Sequence, residues 1–513
     1  MPAYLRLGEM AALRSGKGHV MQGPFFNEDC TDFFYNHEIR AGVDGGKMLD
    51  EYVDLVAEAG VKVLLCNTNA RKTNYRSGVW EAFWDGYEPE GGDDQGYLLR
   101  MPEAGRESYR RLVHSMWALD AQGVDYPARM CARAREKGMA AWISLRMNDV
   151  HFNDDLGHPF HGELWREAKY HLDGDFGYFA RGLDYGAPEV REMYFKLIVE
   201  TLERYDIDGL ELDFMREPYL FREGQEAEGA AVLTEWLRRV RKLAEETAAR
   251  RGHAVKLGVR VPSRPEVAAG WGLEVVKWAQ EGLVDLVVVT PRWATLEYDM
   301  PIGEWKRLLE GTGVTLAGGL EINHNPVPGA KARVVRPAEA RGAAAAVLEN
   351  GADAVYLFNY FGSIIGGGEW TREEYLRTLR AMGSLGELEK LPRRHAVTWR
   401  DIVGPKEEYE APLPTEGREL RFEVATGPAP EAGAKVGLEL ALEAEAEAPA
   451  VTVNGVAGVL EAREGGVVRF EVPVKALEGR ERAEVEVKAA EGETVRVVGV
   501  EVVIGGPAKG GRP

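Results

Sequence analysis

Cysteine is scarce in this chain: three residues, Cys30, Cys66 and Cys131, in 513, with no CxxC spacing. An odd number without that spacing excludes a disulfide framework and a zinc knuckle, so the three are expected as buried thiols. No stretch reaches the ~18 apolar residues of a membrane span, and the opening MPAYLRLGEMAALRSGKGHV lacks the apolar core of a secretory signal. The expectation is a cytoplasmic protein with no membrane partner. Basic charge is also short, since 63 Lys and Arg against 83 Asp and Glu leave a net charge of −20. A surface of that sign repels a polyanion, which excludes nucleic acid as a partner. Amides are the last shortage, with 5 Gln and 12 Asn, a depletion of thermolabile residues that suggests heat adaptation.

What is present is ordinary globular composition, 45% hydrophobic and 28% charged, in a chain long enough for two or three units. Between about residue 30 and residue 385, short β-rich runs alternate with helical patterns. Eight runs are legible: Asp32–Tyr35, Lys62–Asn67, Ala140–Arg146, Gly209–Phe214, Lys256–Val261, Leu286–Thr290, Thr315–Ile322 and Ala354–Asn359. Amphipathic helices such as Met48–Glu58, Pro188–Arg204, Ala227–Arg250 and Ala338–Glu349 follow them, and glycines in AEAG, REKG and LENG end several. Eight βα units predict a closed (β/α)8 TIM barrel over 1–390, with a doubly wound open sheet as the competing architecture.

Beyond about Arg400 the texture changes to Val-rich alternation with Gly turns, as in ELRFEVA, VVRFEVPV and TVRVVGVEVVI. This predicts a small antiparallel β-sandwich over 418–505, reached through a proline-containing linker at 391–417 and followed by a disordered tail at 506–513. The segments VTVNG and FEVPVKALEGRERAEVEV resemble galactose-binding-like accessory domains. A purely structural sandwich is an equal reading, because the segment is almost devoid of Trp and Tyr, and no primary site is expected there.

The sharpest chemical feature is Tyr205–Glu217, which ends a helix, turns at Gly209 and enters the fourth strand. Side chains alternate across a strand, so Leu210, Leu212 and Phe214 share the face toward the helices while Glu211 and Asp213 share the barrel interior. Asp213 falls at the C-terminal end, where barrels keep their chemistry, and Glu211 one layer deeper. The seventh strand, TLAGGLEIN, supplies Glu321 at the equivalent place, followed by Asn323 and His324. Glycosidic bond hydrolysis needs two carboxyl groups, one protonated to help the leaving oxygen depart and one ionised to attack the anomeric carbon or activate water. Asp213 and Glu321 are therefore the expected catalytic pair, with Glu211 tuning them or holding Arg146.

The run DGLELDFMR, with RMNDVH after strand three and LDYGAPEVR before the helix into strand four, resembles glycoside hydrolase-like (β/α)8 barrel proteins over about residues 25 to 385. The resemblance implies a glycosidase and leaves the substrate unspecified. The strand-four run is also similar to the DGxDxDxE signature of family 18 glycosidases, with Asp208, Gly209, Glu211 and Asp213 in register and Met215 where that family has its catalytic Glu. Likeness to the retaining clan implies an acid/base at Asp213 and a nucleophile at Glu321, although the clan's Asn-Glu pair on strand four is missing.

Other residues gather at the expected mouth. Asn27, Asn36, Asn67, Asn69, Asn74, Asn148, Asn153, Asn323, Asn325 and Asn359 fall at or just after proposed strand ends, where they would bind sugar hydroxyls or shape tight loops. His151, His158, His161 and His171 crowd the loop after strand three with Asp149, Asp154 and Asp155, but their spacing fits no metal motif. Neither metal nor cofactor is expected. Trp80, Trp84, Trp142, Trp165, Trp293, Tyr75 and Tyr360 are candidates to stack on sugar rings, with core packing as their alternative role. Arg71 and Arg76 follow strand two, Arg146 ends strand three, Arg216 follows strand four, Arg260 lies in strand five and Arg292 just beyond strand six. Five successive strands thus bring guanidinium groups to one mouth. They either neutralise the acids or receive an anionic sugar, uronic or sulfated.

The expected substrate-binding set is Asn67, Arg71, Arg146, Asn148, Asp149, His151, Arg260, Arg292, Trp293, Asn323, His324, Asn359 and Tyr360. The leading expectation is a glycoside hydrolase with a carbohydrate substrate, assembled as a homo-oligomer. Two other classes compete: a non-catalytic carbohydrate-binding barrel, and a metal-dependent lyase or isomerase using the His/Asp loop with Glu321 as a ligand.

Overall fold

The computed structural model describes residues 23–292, 294–404, 407–408, 410–431, 434–443 and 447–505. Its centre is a closed barrel of eight parallel strands: β1 (Phe25–Glu28), β2 (Val63–Asn67), β3 (Ala140–Arg146), β4 (Gly209–Asp213), β5 (Lys256–Pro262), β6 (Leu286–Thr290), β7 (Thr315–Leu320) and β8 (Ala354–Phe358). Closure is made at β1, where Phe25 is in register with Val63 on one side and Tyr356 on the other.

The period-two alternation of the strands sorts their side chains into two cores. Phe25, Val63, Leu65, Trp142, Leu286, Val288 and Tyr356 fill the interior, while Phe26, Leu64, Ile143, Leu210, Leu212, Val287 and Val289 pack against the surrounding helices. The indole of Trp142 occupies the space over Gly209, where an added Cβ would lie 2.3 Å from it.

Seven strands fall within two residues of their expected positions, and the first does not. Asp32–Asn36 is a short helix, with Phe33 and Phe34 packed on Tyr126, and β1 lies upstream at Phe25–Glu28. A four-residue apolar run cannot by itself distinguish strand from helix, because both bury it equally well.

The C-terminal strands form two antiparallel sheets. One has six strands, with Val495–Ile504 flanked by Arg393–Ala396 and Val436–Leu442 and also paired with Thr415–Gly417; the other has four, centred on Arg482–Lys488. The segment 391–417, expected as a linker, therefore supplies two strands of the first sheet. Its arginines explain this: Arg394 reaches Glu439 and Glu501, each at 2.7 Å, and ties the segment into the sheet. Helix Pro337–Glu349 packs against the same strand, and a Cβ on Gly342 would fall 1.8 Å from the Arg394 carbonyl oxygen. The tail expectation for 506–513 and the placement of Trp293 lie outside the described residues.

Candidate active site

The acids of β4 point inward as the alternation requires, and both are buried. Glu211 sits deep, where its Oε1 accepts from Ser144 Oγ at 2.7 Å, Tyr356 OH at 2.9 Å and Asn27 Nδ2 at 3.2 Å. Burial and neighbouring Asp213 push its carboxyl up to about 7. One layer nearer the mouth, Asp213 Oδ1 accepts from the backbone N–H groups of Met215 at 2.9 Å and Arg216 at 3.1 Å, and Oδ2 accepts from Arg260 Nη1 at 2.9 Å. Three donors on two oxygens suit an ionised carboxylate.

Glu321, directly after β7, is in the opposite condition. It is fully buried, and neither oxygen has a well-formed hydrogen bond among the described residues; Arg260 Nη2 stays 3.7 Å away. Burial pushes its carboxyl up to about 8, against the opposing pull of Arg260. One guanidinium from β5, itself buried over the Phe358 ring at 4.0 Å, therefore serves both carboxyls and satisfies one of them. A pair of carboxyl groups whose environments differ in this sense can work as base or nucleophile and as acid.

Above β1–β4 opens a cavity of about 130 Å³. Its charged and titratable lining is Asp29, Arg71, Arg146, Asp149, His151 and Arg216, between the aromatic rings of Tyr35, Phe83, Tyr109, Phe152 and Phe160. Arg146 does not meet Glu211; it bridges Asp29 at 2.6 Å and Asp149 at 3.1 Å. Burial raises the Asp29 carboxyl, but Arg146 and Arg216 outweigh it and hold the group below the ordinary range. For Asp149 burial is likewise overcome, chiefly by His151 and Arg146. Asp213 and Glu321 are absent from the cavity lining. Arg216 connects the two layers, because it lines the cavity, lies over Phe358 at 5.9 Å and draws the Glu321 carboxyl downward.

Several residues expected to touch substrate are engaged elsewhere. Asn67 takes the Cys30 N–H and donates to the Ser144 carbonyl; Asn148 donates to the carbonyls of Leu183 and Tyr219. These amides shape loops, which was the other role open to them. Tyr360 is buried with its hydroxyl on the Glu321 carbonyl oxygen at 3.1 Å. Asn323 belongs to a two-residue strand pair with Val334, and Asn359 adopts a left-handed backbone at φ 66°. His324 turns toward Glu339 and Glu501. Arg260 lies beneath the cavity, Arg292 pairs with Glu217 at 3.3 Å, and Arg76 pairs with Asp85 at 2.7 Å.

The histidine loop does not converge on a point. His161 contacts Arg71 Nη1 and the Phe152 carbonyl, His171 contacts the Trp165 carbonyl, and His158 stacks on Phe152. Trp165 lies under the Arg71 guanidinium at 3.7 Å, so its face is already covered. Trp142 is barrel core.

Asp29, Tyr35 and Tyr109 are cavity residues that the sequence reading missed. The signal for Asp29 was present: with the first strand at Phe25–Glu28, the strand-end rule selects the next residue. Placing that strand seven residues late hid it.

Neither a family model nor a curated protein sequence matches the chain. Solved structures do align with it. A cycloisomaltooligosaccharide glucanotransferase from Paenibacillus sp. is 8% identical over 95% of this chain, which spans 58% of that enzyme's length, at a TM-score of 0.34. The maltogenic alpha-amylase AmyB from Thermotoga neapolitana is 12% identical over 93% of this chain and 99% of its own, with a TM-score of 0.38. Alpha-L-fucosidase isoenzyme 1 from Paenibacillus thiaminolyticus is 12% identical over 94% and 100%, with a TM-score of 0.36. Likenesses of this size leave the chemistry to be argued from this chain's own residues.

Proposed function

We propose that this protein is a glycoside hydrolase that cleaves an O-glycosidic bond with Asp213 and Glu321 as its two carboxyl groups, on a sugar that carries a negative charge. The observation that supports it is the unequal sharing of Arg260: three donors hold Asp213 as a carboxylate, while Glu321 is left without a full hydrogen bond and with its carboxyl pushed up to about 8. A general acid must still hold its proton near neutrality, and a nucleophile or base must not. On this reading Glu321 gives its proton to the leaving oxygen, and Asp213 attacks the anomeric carbon or takes a proton from the attacking water. These roles are the reverse of those implied by likeness to the retaining clan. Glu211 supports Asp213 from below and stays out of contact with sugar.

Substrate would enter through the cavity above β1–β4 and reach the pair past Arg216. That side chain has no ion pair among the described residues, so moving it breaks no bridge. The three arginines in the cavity wall against two aspartates support a charged sugar, uronic or sulfated.

The test is a panel of aryl glycosides and polysaccharides, followed by Asp213→Asn and Glu321→Gln on the best substrate. Each substitution should lower kcat by orders of magnitude, with the melting temperature within a few degrees of the parent for Glu321→Gln and lowered for Asp213→Asn, which leaves buried Arg260 facing an amide. Turnover that survives both would remove the assignment.

A further inference from the structure

The cavity wall contains three arginines, two aspartates and one histidine, and most of these groups are already spent on each other. Asp29 Oδ2 is taken by Arg146 at 2.6 Å, and its Oδ1 by the Thr31 N–H at 3.2 Å and hydroxyl at 3.3 Å. Asp149 Oδ1 accepts from the His151 N–H at 3.0 Å and faces His151 Nδ1 at 2.9 Å, and its Oδ2 accepts from Arg146 at 3.1 Å. Arg71 donates from Nε to the Asp149 carbonyl at 2.7 Å and from Nη1 to the His151 carbonyl at 3.0 Å. It is buried, and its Nη2 has no partner among the described residues.

Two groups remain unspent on the open side. The guanidinium of Arg216 makes no ion pair or hydrogen bond among the described residues, and its Nε is buried without a partner. The imidazole of His151 is oriented by Asp149 through Nδ1, and its Nε2, on the far side of the ring, makes no hydrogen bond among the described residues; it donates when the ring carries both protons, and the side chain is 43% exposed. With His151 protonated on both nitrogens, the cavity presents donors and no unspent acceptor of charge among the described residues, between aromatic walls that suit the apolar face of a pyranose.

We infer that this cavity seats the carboxylate of a hexuronic acid, with Arg216, and His151 in its doubly protonated form, as its direct donors and Arg71 as the buried cation behind them. The inference rests on the hydrolase reading above and narrows its anionic sugar to one class. A planar carboxylate matches the planar fork of a guanidinium with both oxygens. A tetrahedral sulfate would also direct an oxygen toward Asp29 or Asp149, which face the same space.

Titration calorimetry on the full chain, with glucuronate, glucose, glucose 6-sulfate and inorganic sulfate as ligands, tests this. Glucuronate should bind at least about tenfold more tightly than glucose or either sulfate, with affinity falling as salt rises. Arg216→Gln should remove that advantage, and His151→Asn should reduce it several-fold. Glucuronate should also raise the melting temperature of the parent and leave that of Arg216→Gln unmoved, while unliganded Arg216→Gln melts cooperatively near the parent's temperature, which excludes misfolding as the cause. Equal affinity for glucuronate and glucose, sulfates as good as glucuronate, or a full advantage retained in Arg216→Gln would each overturn the inference. Repeating the titration on Glu321→Gln separates the two readings. Binding retained there with turnover lost supports both, whereas glucuronate binding by the parent with no turnover of any uronide overturns the hydrolase reading and leaves the seat standing.

Discussion

The barrel mouth and the seam between barrel and sandwich are built from the same two residue types and reach opposite electrostatic states. At the seam, buried Glu339 accepts from Arg333 at 2.6 Å, Arg336 at 2.5 Å and the Arg336 backbone N–H at 2.6 Å. Glu501 is shared by Arg336 and Arg394, each at 2.7 Å. Burial alone would raise the Glu339 carboxyl, but Arg333, His324 and Arg336 hold it far below the ordinary range. At the mouth, Glu321 is as deeply buried and has one arginine at 3.7 Å. A fully paired carboxylate holds structure together, and an under-paired one keeps a proton that can be used.

Four experiments break or sharpen that contrast. The largest effect is expected at the mouth: Asp213→Asn and Glu321→Gln should each lower kcat by about 10²- to 10⁴-fold, read by initial rates on the best glycoside, with little change in melting temperature for Glu321→Gln and a lowered one for Asp213→Asn, which leaves buried Arg260 facing an amide. The seam should respond the other way. Glu339→Gln leaves Arg333 and Arg336 facing a neutral amide and should cost roughly 3 kcal/mol, at the low end for a broken buried pair because Arg333 is partly in solvent; denaturant titration measures it, and kcat per folded molecule should be unchanged. Somewhat less is expected from Gly342→Ala, whose new Cβ meets the Arg394 carbonyl oxygen at 1.8 Å. Overpacking of this kind costs about 1 to 3 kcal/mol, and a stability equal to the parent would mean that the helix and strand are not pressed together.

The smallest effect is the most discriminating, because the two regions differ in sign. Glu321 is raised in the folded state, so between its ordinary value of 4.5 and about 8 the native protein binds more protons than the unfolded chain. Unfolding free energy should therefore decline as pH rises through that window, and Glu321→Gln should remove the decline. Glu339 is lowered, so its contribution is complete above 4.5 and is lost as pH falls below it; Glu339→Gln should flatten that acid limb. Stability curves measured from about pH 3 to pH 9 on both variants decide the matter. If the two substitutions altered the same limb, the contrast between mouth and seam would fail.

Much of the barrel was legible because strand and helix are short-range patterns. The helix Pro188–Arg204 and the strands Ala140–Arg146 and Leu286–Thr290 fall where their residues alone put them. The inward aim of Glu211 and Asp213 followed from alternation over five residues. The site was less legible. The asparagines flagged at strand ends are at strand ends, yet Asn67 and Asn148 are used by backbone groups of other loops, and their sequence neighbours do not reveal those partners. His324 sits three residues after Glu321 and faces a different set of charges, because the chain turns between them.

Local order in the amino-acid chain was enough to specify seven of the eight strands, the side of the sheet on which each acid lies, and the strand ends where Asp213 and Glu321 stand. Those properties depend on bond geometry and side-chain alternation, which act over a few residues. The pairing of charges needed the folded protein. Arg146 meets Asp29 from more than a hundred residues away, Arg394 joins the sandwich because Glu439 and Glu501 lie opposite it, and Arg260 reaches Asp213 more closely than Glu321. Whether a buried carboxyl is paired or left short of donors depends on the few ångströms around it. Those distances are set by barrel closure and by the packing of segments that are remote in sequence.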